Sequence, residues 1–220
     1  MSDAAAASRT SVLRLILWPA LITLAVTLLR LFGELRQWSP QLFSREAGGA
    51  GALVGIVWLI PIFGVYFAVR LARAGEGPRS VGRALGTAAL AFVVNTALGF
   101  GSFALVKSPV GQLAIFTLTS WLAIGIAWAG WPALWRVLMA YAVSARLPVL
   151  VIMFASIFGG LDTHYAKPRP DFPPMGPWGL FFWTALLPQF SIWIYLTVVG
   201  GLIFGCLAAF LARTRVVVSA

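Results

Sequence analysis

The stretch VGQLAIFTLTSWLAIGIAWAGWPALW, residues 110–135, contains no Asp, Glu, Lys or Arg. As one straight helix it would be about 39 Å long at 1.5 Å per residue, more than the roughly 30 Å hydrocarbon layer of a bilayer. The AGWPALW motif near its end removes the excess. Gly130 suits a helix stop and Pro132 suits the first turn of the next helix, so two apolar helices joined by a tight hairpin are predicted.

The rest of the chain repeats this pattern. Of 220 residues, 60% are hydrophobic and 10% charged, with a mean hydropathy of +0.93. A water-soluble fold would lack the polar residues needed to cover its surface. The fold class read from composition is an all-α integral membrane protein, a polytopic bundle of about six transmembrane helices. Walking from charge to charge gives spans near 13–35, 51–70, 84–106, 111–130, 132–158 and 188–212. Together they form a single domain over residues 12–212, with tails at 1–11 and 213–220.

Individual runs carry further expectations. Leu15–Leu29 is short, so Arg14 and Arg30 are expected to snorkel to the two interfaces. Arg30, Glu34 and Arg36 follow where small cleavage-site residues would sit, which favours an uncleaved anchor over a signal peptide. The last charge-free run, Gly179–Ala212, exceeds the hydrocarbon thickness. A kink at Pro188 is therefore expected, with WGLFFW as an interfacial segment before the span.

Orientation comes from the short basic loops. Placing the N-terminus inside collects Arg9, Arg14, Arg70, Arg73, Arg79, Arg83, Arg136, Arg213 and Arg215 on one face. Arg30, Arg36, Arg45, Lys107, Lys167 and Arg169 fall on the other. The four arginines between spans two and three set the direction: both termini cytoplasmic in a multi-pass cell membrane protein, a bacterial inner membrane being inferred from compactness. The net charge of +10 is then explained by orientation and by anionic lipid at the cytoplasmic face, not by nucleic acid.

Glycine pairs at four-residue spacing, Gly51/Gly55, Gly82/Gly86 and Gly201/Gly205, allow close helix approach, within the chain or in a homo-oligomer or with another membrane protein. Thr23, Pro61, Asn95, Ser120 and Arg146 fall at similar central depths, a polar layer in which Arg146, Asn95 and Ser120 are the candidate binding residues. A charged residue at mid-bilayer costs about 2.5–3.5 kcal/mol on insertion scales and normally faces the bundle interior. Two readings of Arg146 follow. Either it sits in a cavity for an anionic solute or lipid headgroup, or SARLP is a helix break before Pro148, which disfavours helical geometry at the preceding residue. The break is the first expectation.

The loop GGLDTHYAKPRPDFPP, residues 159–174, holds the only histidine, two of six acidic residues and four of thirteen prolines. Asp162, His164 and Asp171, with Glu34 from the end of the first span, are its candidates for chemistry. The plainer reading has Asp162 supporting a turn, Tyr165 anchoring at the interface and the prolines stiffening a cover over the bundle mouth.

One histidine cannot supply paired haem ligands, and the lone Cys206 leaves no thiolate cluster, so neither cofactor nor metal is expected. Three functions remain in order. The first is a membrane scaffold or accessory subunit. The second is a small permease or channel-like transporter for an anionic solute or lipid, with Arg146 in a mid-membrane cavity. The third is a membrane enzyme using Asp162 and His164.

Overall fold

The computed structural model describes residues 10–49 and 52–218, the last six by backbone only. All regular structure among them is helical. The helices are α1 (Val12–Leu35), α2 (Leu59–Arg73), α3 (Val81–Leu105), α4 (Pro109–Trp128), α5 (Pro132–Phe158) and a C-terminal helical run over residues 177–218. Five of these, α2 being the exception, are long and apolar enough to cross a membrane, as befits a multi-pass membrane protein. The N-terminal tail through Arg9, Gly51 and the side chains of Arg213 and Arg215 lie outside the described residues.

The predicted hairpin is present: α4 ends at Trp128 and α5 opens with Pro132 in its first turn. Its turn lies at one end of the bundle, here the hairpin end. Trp131 Nε1 donates to Glu76 O at 2.8 Å, and Thr10 N–H donates to Glu76 Oε1 at 2.8 Å. The start of α1, the α2–α3 connection and the α4–α5 hairpin thus meet there. At the opposite, loop end, residues 36–49, 52–58 and 159–176 cover the bundle; Glu34 of α1 holds His164, and Arg45 pairs with Asp162 between the loops.

The second span differs from its prediction. Helix begins only at Leu59, so α2 has 15 residues and measures about 22 Å. Residues 52–58 form bends and turns instead. The cause is competition for backbone groups. Leu53 and Val54 N–H groups bond to Gln41 O and Leu42 O, and Arg30 takes Val54 O, the acceptor that residue 58 would need in a helix. Pro61 consequently falls in the first turn of α2, where its missing N–H costs little, and not at mid-span.

α2 packs along the C-terminal helix at backbone distance. A Cβ on Gly64 would lie 2.6 Å from Gly201 O, and one on Gly205 would lie 3.0 Å from Gly64 O, so glycine is required at this crossing. Gly201 and Gly205 are therefore used inside the chain. Gly55 lies in the irregular segment, and a Cβ on Gly86 would meet nothing.

Both proline expectations are corrected. α5 runs unbroken through Pro148, leaving Arg146 in its central turn. The missing N–H frees only the Ser144 carbonyl, and the neighbouring helices hold the backbone in register. In the C-terminal run the departure falls at Ser191 (φ −128°, ψ −78°), three residues after Pro188. There Ser191 Oγ takes Leu187 O at 2.6 Å in place of the backbone N–H, which turns to Pro188 O. The WGLFFW segment is helical, and Trp178 and Phe181 pack edge-on against Phe158 and Phe154 of α5.

Candidate functional site

α1, Leu113 of α4, α5, the C-terminal helix and the two loops border a partly open cavity of about 410 Å³. Its size follows from the short α2. Where a longer helix would fill the upper half of the bundle, residues 52–58 line open space instead. Irregular backbone at membrane depth is tolerated where it lines such a cavity. One face of α5, carrying Arg146, Val149 and Met153 at i, i+3 and i+7, forms the back wall.

Arg146 is the floor. Its residue is 3% exposed, so the guanidinium is inside the protein and not at an interface. Nη2 donates to Thr197 Oγ1 at 3.3 Å, the guanidinium carbon lies 5.1 Å from the Trp193 ring centroid, and Nε has no protein partner. Among the described residues no carboxylate pairs with it. A hydroxyl and an indole face solvate a cation but do not neutralise it. Above it, Gln189 is also buried, its Nε2 3.5 Å from Met153 Sδ and its Oε1 unpartnered.

At the loop end the charges are arranged differently. Arg30, expected at the interface, turns inward and has an 11% exposed side chain. Nε donates to Glu34 Oε1 at 2.9 Å, and the two terminal nitrogens donate to Val54 O and Gly49 O, each at 3.1 Å. Gly49 has φ +69°, and a Cβ there would lie 2.5 Å from Arg30 Nη2, so only glycine lets its carbonyl be reached this way. Glu34 in turn accepts from the His164 backbone N–H at 2.9 Å and pairs with His164 Nδ1 at 2.5 Å. Glu34 thus ties the end of α1 to the second loop, and Arg30, which it pairs, ties α1 to the first. Burial pushes the His164 imidazole below its usual 6.5, and the bond to Glu34 offsets this only in part.

The rim is compensated pair by pair. Asp162 pairs with Arg45 and with Lys167 Nζ at 2.8 Å, and Asp171 pairs with Arg169 at 2.5 Å. The hydrogen bonds from Lys167 and Arg169 hold the two carboxyls below the usual carboxylate range. Asp162 therefore bridges the loops and is not a turn cap. Tyr165 points into the bundle, buried beside Val149, Ile152 and Met153, which raises its phenol pKa. It does not serve as an interface anchor.

The candidates thus divide. His164 and Glu34 come together with Arg30, while Asp162 and Asp171 face separate basic partners. Asn95 and Ser120 meet each other across α3 and α4 at 3.5 Å and do not line the cavity. Arg30 was passed over as a flanking residue, although its i, i+4 spacing to Glu34 signals a helical ion pair. Gln189 and Trp193 carried no signal at all, because an apolar run does not show which residues face inward.

No protein-family model, curated protein or solved structure matches this chain.

Proposed function

We propose that this is a small permease or channel-like membrane protein that takes an organic anion into the cavity above Arg146. The observation carrying this reading is a buried guanidinium, without a carboxylate partner among the described residues, at the wall of a cavity of about 410 Å³. A buried cation unmatched by the protein is matched by its ligand, since charge-assisted contacts to a carboxylate or phosphate are the strong ones available to a guanidinium.

The accompanying topology has six passes, the second made by residues 52–58 and α2 together. Both termini lie on the cytoplasmic face of a cell membrane, a bacterial inner membrane by the reading above. Supporting it, the hairpin end gathers Arg70, Arg73, Arg79, Arg83 and Arg136, the bias that marks a cytoplasmic face.

The test is mass spectrometry of wild type and Arg146→Gln purified with native lipid. Wild type is expected to retain an anionic species that the variant loses. A wild type that retains none, or a variant that retains the same one, removes the proposal.

A further inference from the structure

Resting on that reading, we infer that the anion is an amphiphile: a phosphate or carboxylate head seated at Arg146 with a hydrocarbon chain that leaves the cavity sideways, past Trp58 and Val57, into the bilayer.

Volume is the first argument. A water molecule occupies about 30 Å³ of liquid, so 410 Å³ holds on the order of a dozen waters, far more than a bare inorganic anion displaces. The charge distribution is the second. Of the four basic residues lining the cavity, only Arg146 has no carboxylate partner among the described residues, while Val149, Ile56, Val26 and Ile192 give the walls an apolar share beside the polar Gln189 and Thr27. One charged head and an apolar body suit that arrangement.

The third argument locates an exit. α2 and the C-terminal helix run parallel, with Gly64 level with Gly201 and Ile60 against Gly200. The start of α2 is therefore level with Thr197, the residue that bonds Arg146. Trp58 and Val57, immediately before it, line the cavity yet are 64% and 49% exposed. In the six-pass placement proposed above, their exposed surface at Arg146's depth faces hydrocarbon, not water. α2 and α4 both pack on the C-terminal helix and form no packed interface with each other. The N-terminus of α2 does not itself bind the head. Leu59 and Ile60 N–H groups are taken by Ile56 O and Val57 O, and Pro61 has none.

The test uses the full-length protein in nanodiscs of zwitterionic lipid. Tryptophan emission, to which Trp58, Trp183 and Trp193 contribute from the cavity wall, is followed on adding dodecyl phosphate, butyl phosphate or inorganic phosphate. Dodecyl phosphate is expected to saturate with a midpoint at least about tenfold below that of butyl phosphate. Arg146→Gln raises the dodecyl midpoint at least about tenfold, and Arg146→Lys, which keeps charge but loses the fork, raises it less. Trp58→Ala, at the exposed exit, raises the dodecyl midpoint by a several-fold larger factor than the butyl midpoint. Equal dodecyl and butyl midpoints, both weakened in Arg146→Gln, would overturn the amphiphile and leave a soluble-anion cavity standing. No saturable response to any of the three, or responses indifferent to residue 146, would overturn both readings.

Discussion

Arg30 and Arg146 are both arginines on long membrane helices, both turned inward, and both line the same cavity. Arg30 has Glu34 one turn along its own helix and carbonyls from two loop segments. Arg146 has one hydroxyl, one indole face and an unpartnered Nε. Identical chemistry thus has two different uses. A guanidinium whose charge and donors are matched by protein works as a rivet between segments. One left without a carboxylate at a cavity wall is, in the function proposed above, the seat of the anion.

The sharpest way to break the comparison is to remove the match at Arg30. Glu34→Gln leaves Arg30 buried without its carboxylate and weakens both bonds to His164. Breaking a buried pair on one side costs about 3–5 kcal/mol, so a large fall in melting temperature or loss of folded protein in detergent is expected. At Arg146 the same kind of change should act in the opposite sense. Arg146→Gln removes a buried charge that has no partner, so thermal stability is expected to hold or rise, while anion binding falls at least about tenfold. A variant that melts early and still binds anion would reverse the assignment of the two arginines.

The floor can also be made to resemble the mouth. Thr197→Asp places a carboxylate where the hydroxyl now meets Arg146, with little change in size. The expected outcome is a folded protein whose anion binding is weakened about as much as in Arg146→Gln, because the ligand's position is taken from within. Titration beside wild type measures it.

Two smaller effects probe the loop end. His164→Ala keeps the backbone bond to Glu34 and loses only the ring, a cost of about 1–2 kcal/mol by melting. In wild type, burial lowers the His164 pKa from 6.5, so the folded state binds its proton less readily than the unfolded chain does. Its stabilising contribution is present above pH 6.5 and is lost as pH falls below that value toward the folded pKa. The melting temperature should therefore drop with acidification in wild type, and this part of the slope should vanish in His164→Ala. Least is expected of Asp162→Asn. Its partners Arg45 and Lys167 are partly exposed and screened by solvent, so no measurable change in melting is expected, in contrast to Glu34→Gln.

Much of the helical plan was legible in the sequence because it depends on local composition. Runs such as residues 110–128 and 132–158 are apolar enough to be read without knowing their neighbours, and Gly130 and Pro132 mark the turn by their own backbone preferences. Arg146 stood out because charge is rare in such runs. The length of α2, the bend at Ser191 and the continuity of α5 through Pro148 were not legible. Each is settled by which distant group takes a particular backbone carbonyl or fills the space beside a proline.

The sequence by itself determined an apolar helical chain, a charge set within the run 132–158 and a loop crowded with polar groups. Only the tertiary structure decided that Glu34 joins Arg30 and His164 and that Asp162 and Asp171 serve the rim. It also decided that Arg146 is buried at the cavity wall with no carboxylate partner among the described residues. The physical reason is range: hydropathy and helix punctuation act over a few residues, whereas charge compensation is decided by contacts such as Glu34 to His164, 130 positions apart.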